Sequence, residues 1–171
     1  MSEVSEERAD LPEPVPLESL ASAWAAAWTG RDGARFESCC THDVSYEDPV
    51  ATELLDGLEA LSRHAQLLRS AFPDARVEPT SPPLAAGSNA CFPWRLLGTH
   101  SGETPTLPAT GRFATVHGVH YAELSEGRIR RARGFFDLYD AATQLGLLPG
   151  RGSLGEAGLL LLRGFGLRRA R

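Results

Sequence analysis

The order of secondary-structure patterns along the chain is the sequence feature that most constrains its fold. In the first 72 of the 171 residues helical periodicity dominates, and Leu20, Trp24 and Trp28 recur at helical spacing in a predicted helix over 17–30. From residue 75 onward, strand-like segments rich in aromatic and apolar residues follow one another, separated by turn residues. Helices that precede a run of antiparallel strands predict an α+β fold, in which a curved sheet wraps around the N-terminal helices.

Shorter signals divide these two regions into elements. The patterns predict a short helix over 34–40, a short strand over 44–48 and a third helix over 56–72, with Asp56 and Glu59 at the spacing of a capping box. The later predicted elements are strands over 75–79, 89–100, 111–124 and 127–137, a polar loop over 101–111, a hairpin turn at 125–128 and a last helix over 138–146.

Composition and charge argue against several classes of protein. The formal net charge of −5 disfavours sequence-independent binding of nucleic acid, because that binding needs a basic surface. Lysine is absent, so no side-chain amine is available for Schiff-base chemistry. The three cysteines lack the spacing of a zinc site or a disulfide framework, and we interpret them as small buried residues in a reducing compartment. A cytoplasmic protein is therefore predicted.

The two ends of the chain differ in composition from the middle. Residues 1–16 are acidic and Pro-rich, which predicts a disordered lead-in rather than a signal peptide. Residues 17–149 form the predicted domain. Residues 150–171 are Gly-rich, apolar in the middle and basic at the end, and a flexible or partner-contacting tail is favoured over a membrane helix. The four leucines at 159–162 form an apolar run that is far too short to span a bilayer.

Six short motifs occur in a particular order within the predicted domain. They are "AWAAAWTGRD" at 23–32, "HDVSYEDPV" at 42–50, "AFPDARV" at 71–77, "GTHSG" at 98–102, "PATGR" at 108–112 and "GRIRRARGFFDLYDAATQLGLLP" at 127–149. In this order the set resembles the SnoaL-like polyketide cyclases, or ester cyclases, of the nuclear transport factor 2-like superfamily. The resemblance implies a cone-shaped, curved antiparallel sheet around N-terminal helices, the nuclear transport factor 2-like or cystatin-like fold, with one deep pocket.

The resemblance also implies an activity. SnoaL-like cyclases close a ring by intramolecular aldol condensation without metal or cofactor, and their essential aspartate acts as acid and base near the end of the last long strand. Asp137, in "GFFD", is the position that fits. The resemblance thus implies no cofactor, no metal, a small hydrophobic molecule as partner, and a homodimer formed by sheets that pair face to face.

Two interpretations of Asp137 stay open. Four rings would desolvate its carboxyl and raise the pKa, which suits proton transfer near neutral pH: those of Tyr46, Trp94, Phe135 and Phe136. Alternatively, Asp137 is only the N-cap of the helix that starts at Leu138, because aspartate is a favoured residue at that position.

A second aspartate, Asp48, lies in a segment that resembles ketosteroid isomerases. The segment "YEDPVATELLDGLEAL" matches the part of those enzymes that carries the proton-abstracting aspartate, and Asp48 is the matching residue. Their oxyanion-hole tyrosine matches Trp24 and their oxyanion-hole aspartate matches Val119, beside His120, so both donors are missing. An enolate would need the Trp24 N–H, a histidine or conjugation within the substrate. The alternative for Asp48 is a turn residue before Pro49.

Strand parity predicts which other side chains face the pocket. His100 shares parity with Trp94 and is predicted to point inward, and of His117 and His120 we favour His117 as the inward residue. Because these two imidazoles lie on opposite faces of one strand, no metal site is predicted. His64 on the third helix is expected to be exposed. The predicted catalytic residues are Asp137 and Asp48, and the predicted substrate-binding residues are Trp24, Tyr46, Trp94, His100, His117 and Phe135.

Three functions from different classes therefore stay open. The first is a cofactor-free cyclase that closes a ring in a hydrophobic, polyketide-like substrate through Asp137. The second is an isomerase or hydrolase of the same fold that works through Asp48. The third is a non-catalytic protein that holds a small hydrophobic ligand.

Overall fold

The computed structural model describes residues 16–30, 33–104 and 107–162, and the elements follow the predicted order. The helices are α1 (Leu17–Thr29), α2 (Gly57–Ala71), α3 (Leu138–Gln144) and α4 (Leu154–Leu162), with a short 3-10 helix at Phe36–Ser38. The strands are β1 (Cys40–Glu47), β2 (Leu55–Asp56), β3 (Arg76–Pro79), β4 (Leu84–Ala86), β5 (Asn89–Thr99), β6 (Phe113–Ser125) and β7 (Arg128–Phe136).

The strands form one seven-stranded sheet in the order β2-β1-β7-β6-β5-β3, with β4 also paired to β5. The predicted α+β fold with a curved sheet around helices is confirmed. The sheet is antiparallel, as expected, except at one pair: β1 and β7 run parallel, with Tyr46 opposite Ala132. No hairpin joins these two strands, so their connection does not impose the antiparallel direction.

The side chains buried between the helices and the sheet form one core. Its members come mainly from α1, the 3-10 helix, α2, β1, β5, β6 and β7. Several of the largest are less than 2% exposed: Trp24, Phe36, Val44, Tyr46, Leu61 and Ile129. Along β6 the buried positions are Ala114, His120 and Ala122, whereas Phe113 and Tyr121 are exposed on the outer face. This alternation decides which residues of the sheet can reach a cavity on its inner side.

Two local predictions differ from the structure. The predicted helix over 34–40 is reduced to three residues, and β1 begins at Cys40, because Cys39 and Cys40 are both buried in the core. α2 begins after Asp56 as expected, but the Asp56 side chain forms no capping bond among the described residues. Asp56, the last residue of β2, has the extended backbone usual at an N-cap, but Gly57 after it has a φ of 81°, which is not helical geometry.

The predicted lead-in, except residue 16, and the last nine residues of the predicted tail, 163–171, lie outside the described residues. Residues 154–162 of the tail form α4, whose leucines are exposed; Leu154 is 93% and Leu162 is 87% exposed. Contact between this segment and a partner stays a prediction. None of the described helices is long and apolar enough to cross a membrane.

Candidate active site

A cavity of about 470 Å³ lies between the sheet, α2 and α3. Its wall is mostly apolar, as expected of a site for a small organic ligand of this size. The side chains on the wall that carry a hydroxyl, a carboxylate or an imidazole are Tyr46, Asp48, His64, His100, Thr104 and His120.

Asp48 is fixed at the end of β1 by the turn that follows it. One carboxylate oxygen, Oδ1, accepts hydrogen bonds from the backbone N–H groups of Val50 and Ala51, each at 2.8 Å. Pro49, the residue after Asp48, has no N–H to donate to a neighbouring strand, so β1 ends here. The next two backbone amides are then free to bind the Asp48 side chain. The predicted turn role of Asp48 therefore coexists with a position on the cavity wall.

The second carboxylate oxygen of Asp48 binds two side chains. Its Oδ2 atom lies 2.8 Å from Nε2 of His64 and accepts a 3.0 Å hydrogen bond from the Tyr46 hydroxyl. Burial alone would raise the pKa of Asp48, but the hydrogen bond and charge of His64 and the two backbone amides outweigh it, so the pKa is lowered. Asp48 is therefore ionised at neutral pH and accepts four hydrogen bonds, about as many as a carboxylate can.

A chain of hydrogen bonds leads from Asp48 into the core. The indole N–H of Trp24 donates to Nδ1 of His120 at 3.0 Å, and Nε2 of His120 lies 3.3 Å from the Tyr46 hydroxyl. Because an indole nitrogen can only donate, Nδ1 of His120 must hold a lone pair and the ring hydrogen is on Nε2. His120 then donates to Tyr46, and Tyr46 donates to Asp48, so every bond in the chain has a defined direction.

The pKa values of the two middle members agree with this direction. Burial lowers the pKa of His120 to about 3, although the negative charge of Asp48 opposes the shift. Burial, followed by the charge and the hydrogen bond of Asp48, raises the pKa of Tyr46 well above its usual value. Both groups are therefore neutral at physiological pH, and the Trp24 N–H that was considered as an enolate stabiliser is occupied by His120.

Gly134 of β7 makes room for this cluster. A Cβ atom at this position would lie 2.6 Å from the Tyr46 hydroxyl and 3.1 Å from Cβ of Asp48. Both distances are shorter than normal contacts, so only glycine lets β1 and its two polar side chains approach β7 this closely.

We expect Gly134→Ala to destabilise the protein by about 1–3 kcal/mol, because the added methyl group overpacks a buried site. The measurement is the free energy of unfolding in urea. Gly158→Ala on α4 is the control, because a Cβ there meets nothing within 4 Å and alanine favours a helix. Equal stability of Gly134→Ala and the wild type would show that Tyr46 and Asp48 do not need this close approach.

Asp137 lies outside the cavity. Its side chain is 54% exposed, Oδ1 accepts the N–H of Asp140 at 2.9 Å, and Oδ2 lies 3.4 Å from Arg151. Asp137 is thus the N-cap of α3. The prediction that aromatic rings shield this carboxyl from water is wrong. Asp137 continues the alternation of β7 on its outward face, whereas the preceding residue, Phe136, is on the inward face and lines the cavity. We therefore do not assign the acid/base role to Asp137.

The other predicted site residues divide into two groups. Tyr46, Trp94 and His100 line the cavity, and Trp24 lies behind it as the partner of His120. His117 and Phe135 point away from it.

The inward placement predicted for His117 and Phe135 is wrong. Both residues are exposed on the outer face of the sheet, and Phe135 is 45% exposed. Their neighbours His120 and Phe136 line the cavity instead. On β6 and β7 the side chains alternate between the two faces of the sheet as predicted, but these two residues were assigned to the wrong face.

Sequence reasoning missed His64 and His120, although patterns existed that point to each. His64 lies three residues after Leu61 and four before Leu68, so it belongs to the buried stripe of α2, and its side chain is 13% exposed rather than solvated. His120 shares strand parity with Ala114 and Ala122, small residues that fit beneath packed helices.

Comparisons with known proteins identify the family of this chain. The model of the SnoaL-like polyketide cyclase family matches residues 18–145. The chain belongs to this family. No curated protein matches the chain.

Solved structures support the same fold for this SnoaL-like protein. A candidate SnoaL-like polyketide cyclase from Jannaschia sp. CCS1 is 22% identical with a TM-score of 0.67, and the match covers 79% of this chain and 96% of that one. IdmH, a candidate polyketide cyclase from Streptomyces antibioticus, is 20% identical with a TM-score of 0.63, covering 77% and 99%. A protein of ketosteroid isomerase-like fold from Catenulispora acidiphila is 22% identical with a TM-score of 0.61, covering 75% and 92%.

Membership of the SnoaL-like family supports a cyclase- or isomerase-type function. The site differs in one respect from what the family resemblance implied, which was an acid/base aspartate near the end of the last long strand. The inward positions there are Ala132, Gly134 and Phe136, none of which carries a carboxylate. In this SnoaL-like chain the carboxylate on the cavity wall comes from the end of β1, as Asp48.

Proposed function

We propose that this chain catalyses proton transfer at a carbon next to a carbonyl group, in a ring-closing or isomerising reaction of a small hydrophobic substrate. The observation that supports the proposal best is the hydrogen-bonded pair of His64 and Asp48 on the wall of the apolar cavity. His64 is the catalytic acid and base, and Asp48 is the positioning residue.

The hydrogen bonds around Asp48 support these roles. Asp48 is ionised, and its oxygens already accept bonds from His64, Tyr46 and two backbone amides, so no lone pair is left for a substrate proton. In its neutral form His64 donates its Nε2 hydrogen to Asp48, which places the basic lone pair on Nδ1. The protonated form, which His64 reaches after it takes a proton, is the one whose charge lowers the pKa of Asp48. Nδ1 of His64 makes no hydrogen bond within residues 16–30, 33–104 and 107–162. The imidazole is thus held in one tautomer with its other nitrogen available.

The proposed reaction conserves atoms and charge. Nδ1 of His64 takes the proton from the carbon, the C–H electron pair forms the carbon–carbon double bond of an enolate, and the carbonyl oxygen takes the negative charge. In ring closure, the enolate carbon then attacks a second carbonyl of the same molecule, and the new alkoxide takes the proton from His64. In isomerisation, the proton returns to a different carbon of the same enolate. Either course uses one acid/base group twice.

The two courses share the His64–Asp48 pair, and different observations favour them. Family membership favours aldol-type ring closure of a polyketide-like substrate. The position of Asp48, in a segment that resembles ketosteroid isomerases, favours isomerisation. If no proton exchange is found, the third function applies, in which the protein holds a hydrophobic ligand without catalysing a reaction. The homodimer and the cytoplasmic location stay predictions.

Deuterium exchange tests the proton-transfer step without knowledge of the natural substrate. The probe is 2-tetralone, a bicyclic ketone, whose α-protons are followed by 1H NMR in D2O with and without the protein. We expect the wild type to accelerate the exchange. Because a hydrogen bond to a charged group is worth about 1.5–3 kcal/mol, we expect Asp48→Asn to slow the catalysed exchange by about tenfold or more.

The tautomer of His64 shows whether Asp48 positions the imidazole or only stabilises the fold. The 15N NMR spectrum of the wild type should show the His64 hydrogen on Nε2, and Asp48→Asn should lose this preference, because the asparagine can also present an N–H. Asp137→Asn is the control and should exchange at the wild-type rate, since Asp137 lies outside the cavity. Equal exchange rates for Asp48→Asn and the wild type would contradict the proposal.

A further inference from the structure

His100 is another imidazole on the cavity wall whose tautomer is fixed. Like His64 it carries its hydrogen on Nε2, but in His100 the nitrogen that binds protein is Nδ1. It lies just after β5, is 1% exposed and lines the cavity. The backbone N–H of Thr110 donates to its Nδ1 atom at 3.2 Å, and the Thr110 hydroxyl also lies 3.2 Å from Nδ1.

The backbone amide determines where the hydrogen of His100 is. An amide N–H can only donate, so Nδ1 of His100 must accept and the hydrogen is on Nε2. Nε2 makes no hydrogen bond within the ranges that the structure describes. His100 is thus a neutral donor on the wall of the cavity, whereas His64 presents a lone pair.

The two imidazoles lie at different ends of the cavity. The ring of His100 packs on Phe72, with ring centroids 5.2 Å apart, and Phe72 directly follows α2. His64 is eight residues earlier, which corresponds to roughly 12 Å along a helix. The cavity wall between them on α2 is apolar and includes Leu68 and Ala71.

We propose that Nε2–H of His100 binds an acceptor oxygen of the ligand at the loop end of the cavity. The ligand is then an elongated, mostly apolar molecule with a carbonyl or ether oxygen far from the carbon that exchanges its proton. The position of the reacting carbon rests on the function proposed above, but the donor role of His100 does not. A buried imidazole N–H that has no partner among the described residues gains a hydrogen bond when a ligand places an acceptor oxygen beside it.

Two probes of the same shape test this donor. The first is 2-acetylnaphthalene, and the second is 2-isopropenylnaphthalene, in which a CH2 group replaces the carbonyl oxygen. Their dissociation constants are measured by equilibrium dialysis against the full-length protein. We expect the wild type to bind the ketone about fivefold more tightly than the alkene, the ratio of a typical buried hydrogen bond.

Variants of His100 separate the donor from the ring. His100→Phe keeps a ring but loses the N–H, so the ketone preference should vanish, and His100→Gln keeps an N–H and should restore it. Thr110→Ala keeps the backbone N–H and should leave the preference unchanged. Equal or undetectable binding of both probes by the wild type, or an unchanged ratio in His100→Phe, would overturn the proposal.

A measurement on the wild type covers the case in which His100→Phe does not fold. The 15N NMR spectrum should show the hydrogen of His100 on Nε2, and a hydrogen on Nδ1 would refute the assignment. Because probe binding needs no turnover, His64→Gln should keep the ketone preference. Failure of the proposed reaction and failure of the donor assignment are therefore distinguishable.

Discussion

Replacing His64 with glutamine is expected to slow the exchange of 2-tetralone α-protons by about 10²–10⁴-fold, the contribution typical of one acid/base group. Glutamine can keep an N–H bonded to Asp48, as Nε2 of His64 is now at 2.8 Å. It has no basic nitrogen, however, so no group remains to take the proton. The loss should appear in the rate of the bound complex more than in probe affinity.

His42→Gln is the matched control, since it makes the same substitution at an exposed histidine on β1. Its exchange rate should equal that of the wild type. Circular dichroism and the urea midpoint check that both variants keep the fold. If His64→Gln exchanged as fast as His42→Gln, His64 would not be the base, and the cavity would be a binding site for a ligand that does not react there.

The second large effect is a loss of stability at acidic pH caused by His120. The pKa of this imidazole is about 3 in the folded protein against 6.5 for the unperturbed group, because the ring is buried. The unfolded chain therefore binds one more proton between these values, and stability falls as pH decreases through this window. The slope from this group approaches about 1.4 kcal/mol per pH unit. Below pH 3.8, where unfolded Asp48 would also gain a proton, its lowered pKa adds to the loss.

Urea unfolding at several pH values between 7 and 3.5 measures this slope. His120→Gln is the informative variant, because a glutamine amide can accept from Trp24 and donate to Tyr46 without titrating. His117→Gln on the outer face of the same strand is the control and should keep the wild-type slope. A wild-type slope equal to that of His120→Gln would mean that His120 is not held neutral. Calorimetry of the wild type in two buffers measures the proton taken up on unfolding directly, and so tests without a variant whether His120 is neutral in the folded protein.

Local patterns predicted most of the fold because periodicity and turn residues are local properties. α1, α2 and the three long strands lie within a few residues of their predicted bounds, and the hairpin turn before Arg128 is formed by Glu126 and Gly127, both at positive φ. The parallel pairing of β1 with β7 was not predictable in this way, because it joins segments from opposite ends of the domain.

The site was harder to predict because its residues are defined by contacts between elements. Asp48 could be named from a local segment, but its partner His64 lies on a different helix, and only the fold brings the two within 2.8 Å. Asp137 shows the converse: its local context suits both a helix cap and a catalytic acid. The exposed fraction of the side chain decides between them, and that fraction depends on which face of β7 it continues.

The parallel pairing of β1 with β7 also has a consequence for biosynthesis. Tyr46 becomes a neighbour of Ala132 only when nearly the whole domain has been made, and contacts so distant along the chain form late because a long loop must close first. Asp48 and Gly134 meet at the same junction. A growing polypeptide therefore cannot complete the cavity until β7 and the helix after it, α3, have left the ribosome.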